Sequence, residues 1–260
     1  MDVNSVKGTL AVALFLCLVC SSVVSISAVK LKGIQDENKA LDVKKNLLLS
    51  ASLIKDPKAS KEKILESFKK ITPMVIDLGS GMEDKNTDAS TYDQKAAAKD
   101  PKQNYRIDGK ADIAKIKVRA KKALVYVVED GGSASMVILP IHGKGLWSTM
   151  YGFLALDKDT KTVKGLGFYS HLETPGLGGE VDNPEWKAQW IGKEVFDGNF
   201  KPAIKVIKGK VSSNDPQAKY KADGMSGATI TSVGVQHLIN YWLGDNAFGP
   251  FLKNFREGKI

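Results

Sequence analysis

Hydrophobic residues are spread very unevenly along this chain. Residues 9–29, TLAVALFLCLVCSSVVSISAV, form a run of 21 positions without a charge, bounded by Lys7 on one side and Lys30 and Lys32 on the other. A helix of that length rises about 30 Å, the thickness of a bilayer's hydrocarbon core, so the run predicts a single N-terminal membrane span behind a short tail, residues 1–8. A cleaved signal peptide is the rival reading, since Ser25, Ser27 and Ala28 put small residues near its end. Signal h-regions run about 7–15 residues behind a basic segment, whereas this run is longer and a single lysine precedes it, which favours a retained anchor.

Beyond the span, residues 34–71 read as helical, with Leu41, Leu47, Leu48 and Leu53 at mixed three- and four-residue spacing, then a segment capped at Ser60 that carries Ile64, Leu65 and Phe68. The stretch 79–108, rich in Asp, Ser, Lys and Ala, has no sustained period and reads as loop. The period then changes to that of strands. Segments 123–128 and 135–141 flank the turn Asp130-Gly131-Gly132, and 151–156 and 163–170 flank a charged turn at 157–160, so two hairpins are predicted. Residues 185–191 follow Pro184 as a short helix, 203–207 read as a strand, and 229–243 form an amphipathic helix that closes the chain before Gly244. Together these predict an α+β fold, a mostly antiparallel sheet with packed helices, in three parts: a transmembrane helix at 9–29, a helical stalk and loop at 30–110, and a folded domain at 111–260.

Composition narrows the function classes. With 260 residues and 43% hydrophobic content the chain can bury a real core. The net charge of +9 comes from scattered lysines, and Arg106, Arg119 and Arg256 are its only arginines. Nucleic-acid readers favour clustered arginine, so the surplus reads as a solvated surface and no nucleic acid is expected as a partner. Both cysteines, Cys17 and Cys20, lie inside the apolar run, which leaves the rest of the chain free of thiols, as suits an oxidising compartment. Leu16 and Val19 precede them, so neither follows the small residue of a lipoprotein cleavage site. Their spacing is that of a redox or metal pair, but two small apolar thiols in a lipid-embedded helix is the simpler reading. Orientation stays open on charge alone: Lys30, Lys32 and Lys39 after the span would hold the domain in the cytoplasm, yet Asp36, Glu37 and Asp42 are interspersed. No Walker loop, HExxH or EF-hand loop occurs, and His142, His171 and His237 are too dispersed for a local metal site. Gly165-Leu166-Gly167 lacks the third glycine of a dinucleotide fingerprint and lies within a strand.

Two segments carry candidate chemistry. In 170–180, SHLETPGLGGE, Pro175 fixes a turn, and Gly176, Gly178 and Gly179 permit close approach of the backbone to something flat or anionic, with Glu173 and Thr174 beside them. The plain alternative is a surface turn. In 223–229, DGMSGAT, a glycine-rich turn feeds the helix that follows, so unpaired N–H groups and the positive end of its dipole converge on one place, with hydroxyls on Thr229 and Thr231. The plain alternative is ordinary capping by Ser226 or Thr229. A serine-hydrolase elbow needs glycine two residues after the serine, and Ala228 stands there.

The segment Asp223-Gly-Met-Ser226-Gly227-Ala228-Thr229 resembles the flavinylation motif Asp-x-x-Ser/Thr-Gly-Ala-Thr/Ser of the FMN-binding domain family. The loop Glu173-Thr174-Pro175-Gly176-Leu177-Gly178, the stretches Gly143-Lys-Gly-Leu-Trp147 and Met150-Tyr-Gly152, the helix with Asn38-Lys-Ala-Leu-Asp42 and Trp242-Leu-Gly244 extend the likeness. With the N-terminal span, the whole chain is similar to the family of C subunits of bacterial Na⁺-translocating NADH:quinone oxidoreductases.

That resemblance implies a covalent FMN, joined through its phosphate to the hydroxyl of Thr229 by a flavin transferase that uses FAD and Mg²⁺ and releases AMP. It implies that Ser226, Gly227 and Ala228 hold the phosphate, that the 173–178 loop lies along the isoalloxazine ring with Leu177 on its face and Thr174 near its polar edge, and that Asp223 serves the transferase or the turn. It further implies an electron relay, taking electrons that began on NADH in another subunit and handing them to the FMN of the B subunit, with quinone as final acceptor and the D and E subunits as membrane partners. The resemblance assigns sodium pumping to the whole complex; nothing in this chain resembles an NADH site or an intramembrane Na⁺ site, because its one span has no ionisable side chain apart from two thiols. The family places the chain in the bacterial inner membrane, N-terminus cytoplasmic and flavin domain periplasmic. The related ferredoxin:NAD complex has a flavoprotein subunit with the same span and motif, but it lacks so long an insert between anchor and flavin domain. A membrane-anchored binding protein without cofactor would leave both glycine-rich loops as turns. An anchored hydrolase using Ser226 and His237 lacks an acid partner.

Overall fold

The computed structural model describes residues 5–260 and divides into two compact units, one ending at Val43 and one spanning Lys44–Ile260. A single helix, α1 (Val6–Ser50), runs without a break through Lys30 and Gly33, where span and stalk were expected to part. Its apolar window has a mean hydropathy of 2.5, and none of it is buried in protein. The Ser21 and Ser22 hydroxyls donate back to the Leu18 carbonyl at 3.1 and 2.7 Å, which satisfies them inside their own helix, as a helix long and apolar enough to cross a membrane would need.

The second unit is built on an antiparallel sheet in the order β1 (Ile71–Asp77), β4 (Lys122–Asp130), β5 (Ser133–Lys144), β6 (Thr149–Asp157), β7 (Val163–Ser170). Both predicted hairpins are present. Asp130 pairs with Ser133 across Gly131 and Gly132, whose φ of 60° and 80° form the two-residue turn that the right-handed twist of the strands favours. Alternation along β4 sends Ala123, Val125 and Val127 inward.

Helix α5 (Thr229–Leu243) packs on one face of the sheet. A Cβ on Gly234 would fall 2.6 Å from the Lys144 carbonyl, and one on Gly143 would fall 2.6 Å from the Leu238 Cβ, so these two glycines set the distance between helix and β5. The Trp242 indole N–H donates to the His142 carbonyl at 2.7 Å and ties the far end of the helix to the same strand. On β7, Gly165 and Gly167 lie against Ser50 at the end of α1, where a Cβ on either would collide. This close helix approach is the use of the pair that does not match a dinucleotide fingerprint.

Several elements differ from the sequence expectation. Residues 71–77 form an edge strand, which is where a strand containing Pro73 belongs. The expected loop at 79–108 holds α3 (Gln94–Lys99), capped by the Asp93 carboxylate, and β2 (Asn104–Arg106), which pairs with β3 (Val118–Ala120). Helix α2 (Lys61–Phe68) starts at Ser60 as expected, its hydroxyl accepting from the Lys63 N–H. The helix after Pro184 is shorter than expected, α4 (Pro184–Ala188), and β8 (Lys205–Ile207) pairs in parallel with β9 (Lys221–Asp223). A further helix, α6 (Gly249–Arg256), follows α5 and buries Phe251 and Leu252, so α5 does not close the chain.

Candidate cofactor site

The segment leaving β9 turns into α5 through Gly227, which has a φ of 71° and is exposed together with Ser226 and Thr229. Met225 is buried and its N–H donates to the Ser232 hydroxyl at 3.0 Å, which folds the turn back onto the helix. The residue at the N-cap is Ala228, and no side chain caps the helix. Capping by Ser226 or Thr229 is therefore not what these residues do. A 15-residue helix presents its first-turn amides and the positive end of its dipole beside the Thr229 hydroxyl. Thr231, the neighbouring hydroxyl, is 1% exposed and donates to Glu173 Oε2 at 2.6 Å.

Glu173 is the junction of three segments. Its Oε1 accepts from the N–H groups of Trp147 and Ser148 at 3.0 and 3.1 Å, and its Oε2 accepts from the Leu146 N–H at 3.1 Å as well as from Thr231. Burial pushes its pKa up, but the Thr231 hydroxyl and the three backbone donors outweigh that and hold the carboxyl below its ordinary value. The side chain thus faces the protein interior. Thr174 and Gly176 are exposed, and the Thr174 carbonyl accepts from Leu177 and Gly179 to close the turn. Leu177 reaches the other glycine-rich turn, its Cδ2 lying 2.9 Å from where a Cβ on Gly227 would sit. Gly178 is buried against Thr231 and Glu173.

On one side of these turns lies a cleft of about 800 Å³, the size of a small-ligand pocket. Gly176, Asp223, Ser226, Gly227 and Thr229 line it, with Val206, Trp186 and Met225 as apolar lining. The turn Lys208-Gly209-Lys210 also borders it, and neither lysine has an ion-pair partner among the described residues. Asp223 fixes that turn. Its carboxylate accepts from the Val211 N–H at 2.8 Å, and its carbonyl accepts from the Trp186 indole at 2.9 Å. Around Glu173 a second group of side chains is exposed despite being apolar: Leu146, Trp147 (66%), Leu172 (81%), Leu177 and Ile230. Sequence reading singled out only Leu177 from this group as a site residue. A tryptophan between glycine-flanked turns, in GKGLW, was the available signal for the rest.

The residues fit a phosphorylated flavin. An exposed hydroxyl at an uncapped helix N-terminus suits a phosphate, and exposed apolar side chains next to it suit a flat ring. The last two strands of the sheet, both glycine-rich turns and α5 fall within residues 145–244, which match the family model of the FMN-binding domain. Over 99% of its length the chain is 48% identical to a Yersinia pestis protein named as the C subunit of the Na(+)-translocating NADH-quinone reductase, covering 96% of that protein. The Pseudomonas aeruginosa protein of the same name is 46% identical, with 98% of each chain covered. The crystal structure of Shewanella oneidensis NqrC superposes with a TM-score of 0.77 at 35% identity, covering 85% of this chain and 99% of that one. The chain belongs to the family of Na(+)-translocating NADH-quinone reductase C subunits, components of an oxidoreductase complex.

Proposed function

We propose that this chain carries FMN in phosphoester linkage to Thr229 and relays electrons within a membrane-bound, sodium-translocating NADH:quinone reductase. The carrying observation is the contrast between two threonines of one helix turn: Thr229 is exposed on the cleft at an uncapped N-terminus, while Thr231 is buried and committed to Glu173. In the attachment, Thr229 Oγ1 forms the new bond to phosphorus and gives up its proton, the bond between the two phosphates of FAD breaks, and AMP leaves. A flavin transferase supplies FAD and Mg²⁺. Ser226, Gly227, Ala228 and the first-turn amides of α5 hold the phosphate, with the Lys208 and Lys210 ammonium groups across the cleft to balance its charge. Leu177 bears on the ring face, Thr174 stands at its polar edge, and Asp223 keeps the turn in shape. When bound, the flavin supplies one- and two-electron transfer; the protein's part is to fix its position and environment.

Residues 9–29 of α1 span the bacterial inner membrane, and the unit spanning Lys44–Ile260, which takes in β1, α3 and β2 as well as residues 111–260, carries the flavin on the periplasmic side. Its electron partners are the other subunits of the complex, the FMN-carrying B subunit and the membrane-embedded D and E subunits among them.

The full chain made together with a flavin transferase gives a band fluorescent under ultraviolet light after denaturing electrophoresis, with its mass raised by one FMN less water. Thr229→Ala abolishes both signals and Thr231→Val keeps them. Covalent flavin on the Thr229→Ala chain would falsify the attachment site.

A further inference from the structure

We propose that Glu173 is a positioning residue for the flavin, an ionised strut that pins the 145–148 loop and the first turn of α5 to the 173–178 loop and whose charge holds the flavin's reduction potential down. The inference rests on the attachment at Thr229 and deepens it.

Glu173 is 5% exposed, and all of its partners are hydrogen-bond donors at 2.6–3.1 Å: three backbone amides and one hydroxyl. It has no ion-pair partner among the described residues, so its charge is balanced by dipoles alone. Two glycines are shaped around it. A Cβ on Gly145 would fall 2.6 Å from Oε1, and one on Gly178 would fall 2.9 Å from Oε2 and 2.6 Å from Thr231 Oγ1. A glutamine cannot substitute, because its one carbonyl oxygen serves one pair of donors while its NH₂ group faces the other pair.

The same contacts tie the charge to the helix turn and the glycine-rich turn that carry the attachment point. Thr231 is two residues from Thr229 in the first turn of α5, and the loop that begins at Glu173 ends against Gly227 through Leu177. A fixed anion in a buried setting opposes the arrival of electrons nearby, since it is poorly screened there. Oriented N–H and O–H donors moderate that charge without removing it. Loss of a donor therefore acts on the potential with the opposite sign to loss of the charge, and that difference separates this role from simple support of the loops.

The test uses the full-length chain in detergent, loaded by its flavin transferase, as wild type, Glu173→Gln, Glu173→Asp and Thr231→Val. Gel fluorescence reports loading, thermal unfolding reports folding, and a spectroscopic redox titration gives the midpoint potential of the tethered flavin. The expected result is a shift to more positive potential in Glu173→Gln, with Thr231→Val and Glu173→Asp at or below the wild-type potential. A loaded Glu173→Gln chain with wild-type potential overturns the proposal, and so does a positive shift shared by Glu173→Gln and Thr231→Val. Should Glu173→Gln not fold, the two charge-keeping variants decide, because a positive shift in either one contradicts the role of the anion. A wild-type chain without covalent flavin takes down the attachment reading and this inference with it, a different outcome from loaded variants of unchanged potential.

Discussion

His142 shows how much a side chain's chemistry depends on its surroundings. It lies on β5 between two rings, 5.3 Å from Tyr151 and 4.9 Å from Trp242 by centroid. Burial, with help from the Lys95 ammonium, pushes its pKa down to about 4. The unfolded chain takes up the proton near pH 6.5, so between about pH 6.5 and 4 the unfolded state binds more protons than the native one. The stability linked to neutral His142 is complete above that window and falls as the pH drops through it, by about 3 kcal/mol in all. Urea unfolding at a series of pH values should show this slope in the wild type and a flatter one in His142→Phe; equal slopes would remove His142 as the cause. The two threonines of α5 make the same point by position. Their sequence neighbourhoods are nearly the same, and only the fold gives one of them an acid and the other the solvent.

Among the elements, α5 was legible from residue 229 to 243, because its apolar positions keep a helical period and a glycine-rich turn announces its start. Strand β1 was not, since Thr72 and Pro73 interrupt its alternation and only its place at the sheet edge makes the proline tolerable. Helix α3 has six residues, too few for a period to emerge, and α6, as short as α2 with eight, lacks the capping side chain that marks the start of α2 at Ser60. The contacts of Glu173 had no signature at all: its hydroxyl partner is 58 residues away, and no local pattern encodes a bond of that span. The glycine-rich turns were read correctly as turns, yet which of their neighbours faces inward was set by packing. The junction of α1 with β7 offers a test at this scale. Gly165→Ala puts a methyl group into the Ser50 backbone and should cost about 1–3 kcal/mol of stability. Gly198→Ala, where a Cβ meets nothing within 4 Å, should change it by less than about 0.5 kcal/mol. Chemical unfolding of the two variants side by side checks the difference, and equal costs would contradict the close approach.

At the scale of the whole chain, the unit from Lys44 to Ile260 has its own sheet and core, while the apolar window of α1 has none of its surface covered by protein. A chain beginning at Lys44 should stay soluble without detergent and unfold cooperatively, whereas the full chain should partition into membranes; aggregation of the shortened chain in buffer would show that the unit does not stand alone. The bonds that gather the site join residues 25 to 58 positions apart, so they exist only when β5, β6, β7 and α5 are docked together. A flavin tethered at Thr229 needs nothing but one hydroxyl to stay attached, while its ring environment needs the entire domain. The cofactor would then be a built-in reporter of folding. In rising denaturant a flavin attached in the proposed way would stay on the chain, and its fluorescence would change in step with the loss of the sheet.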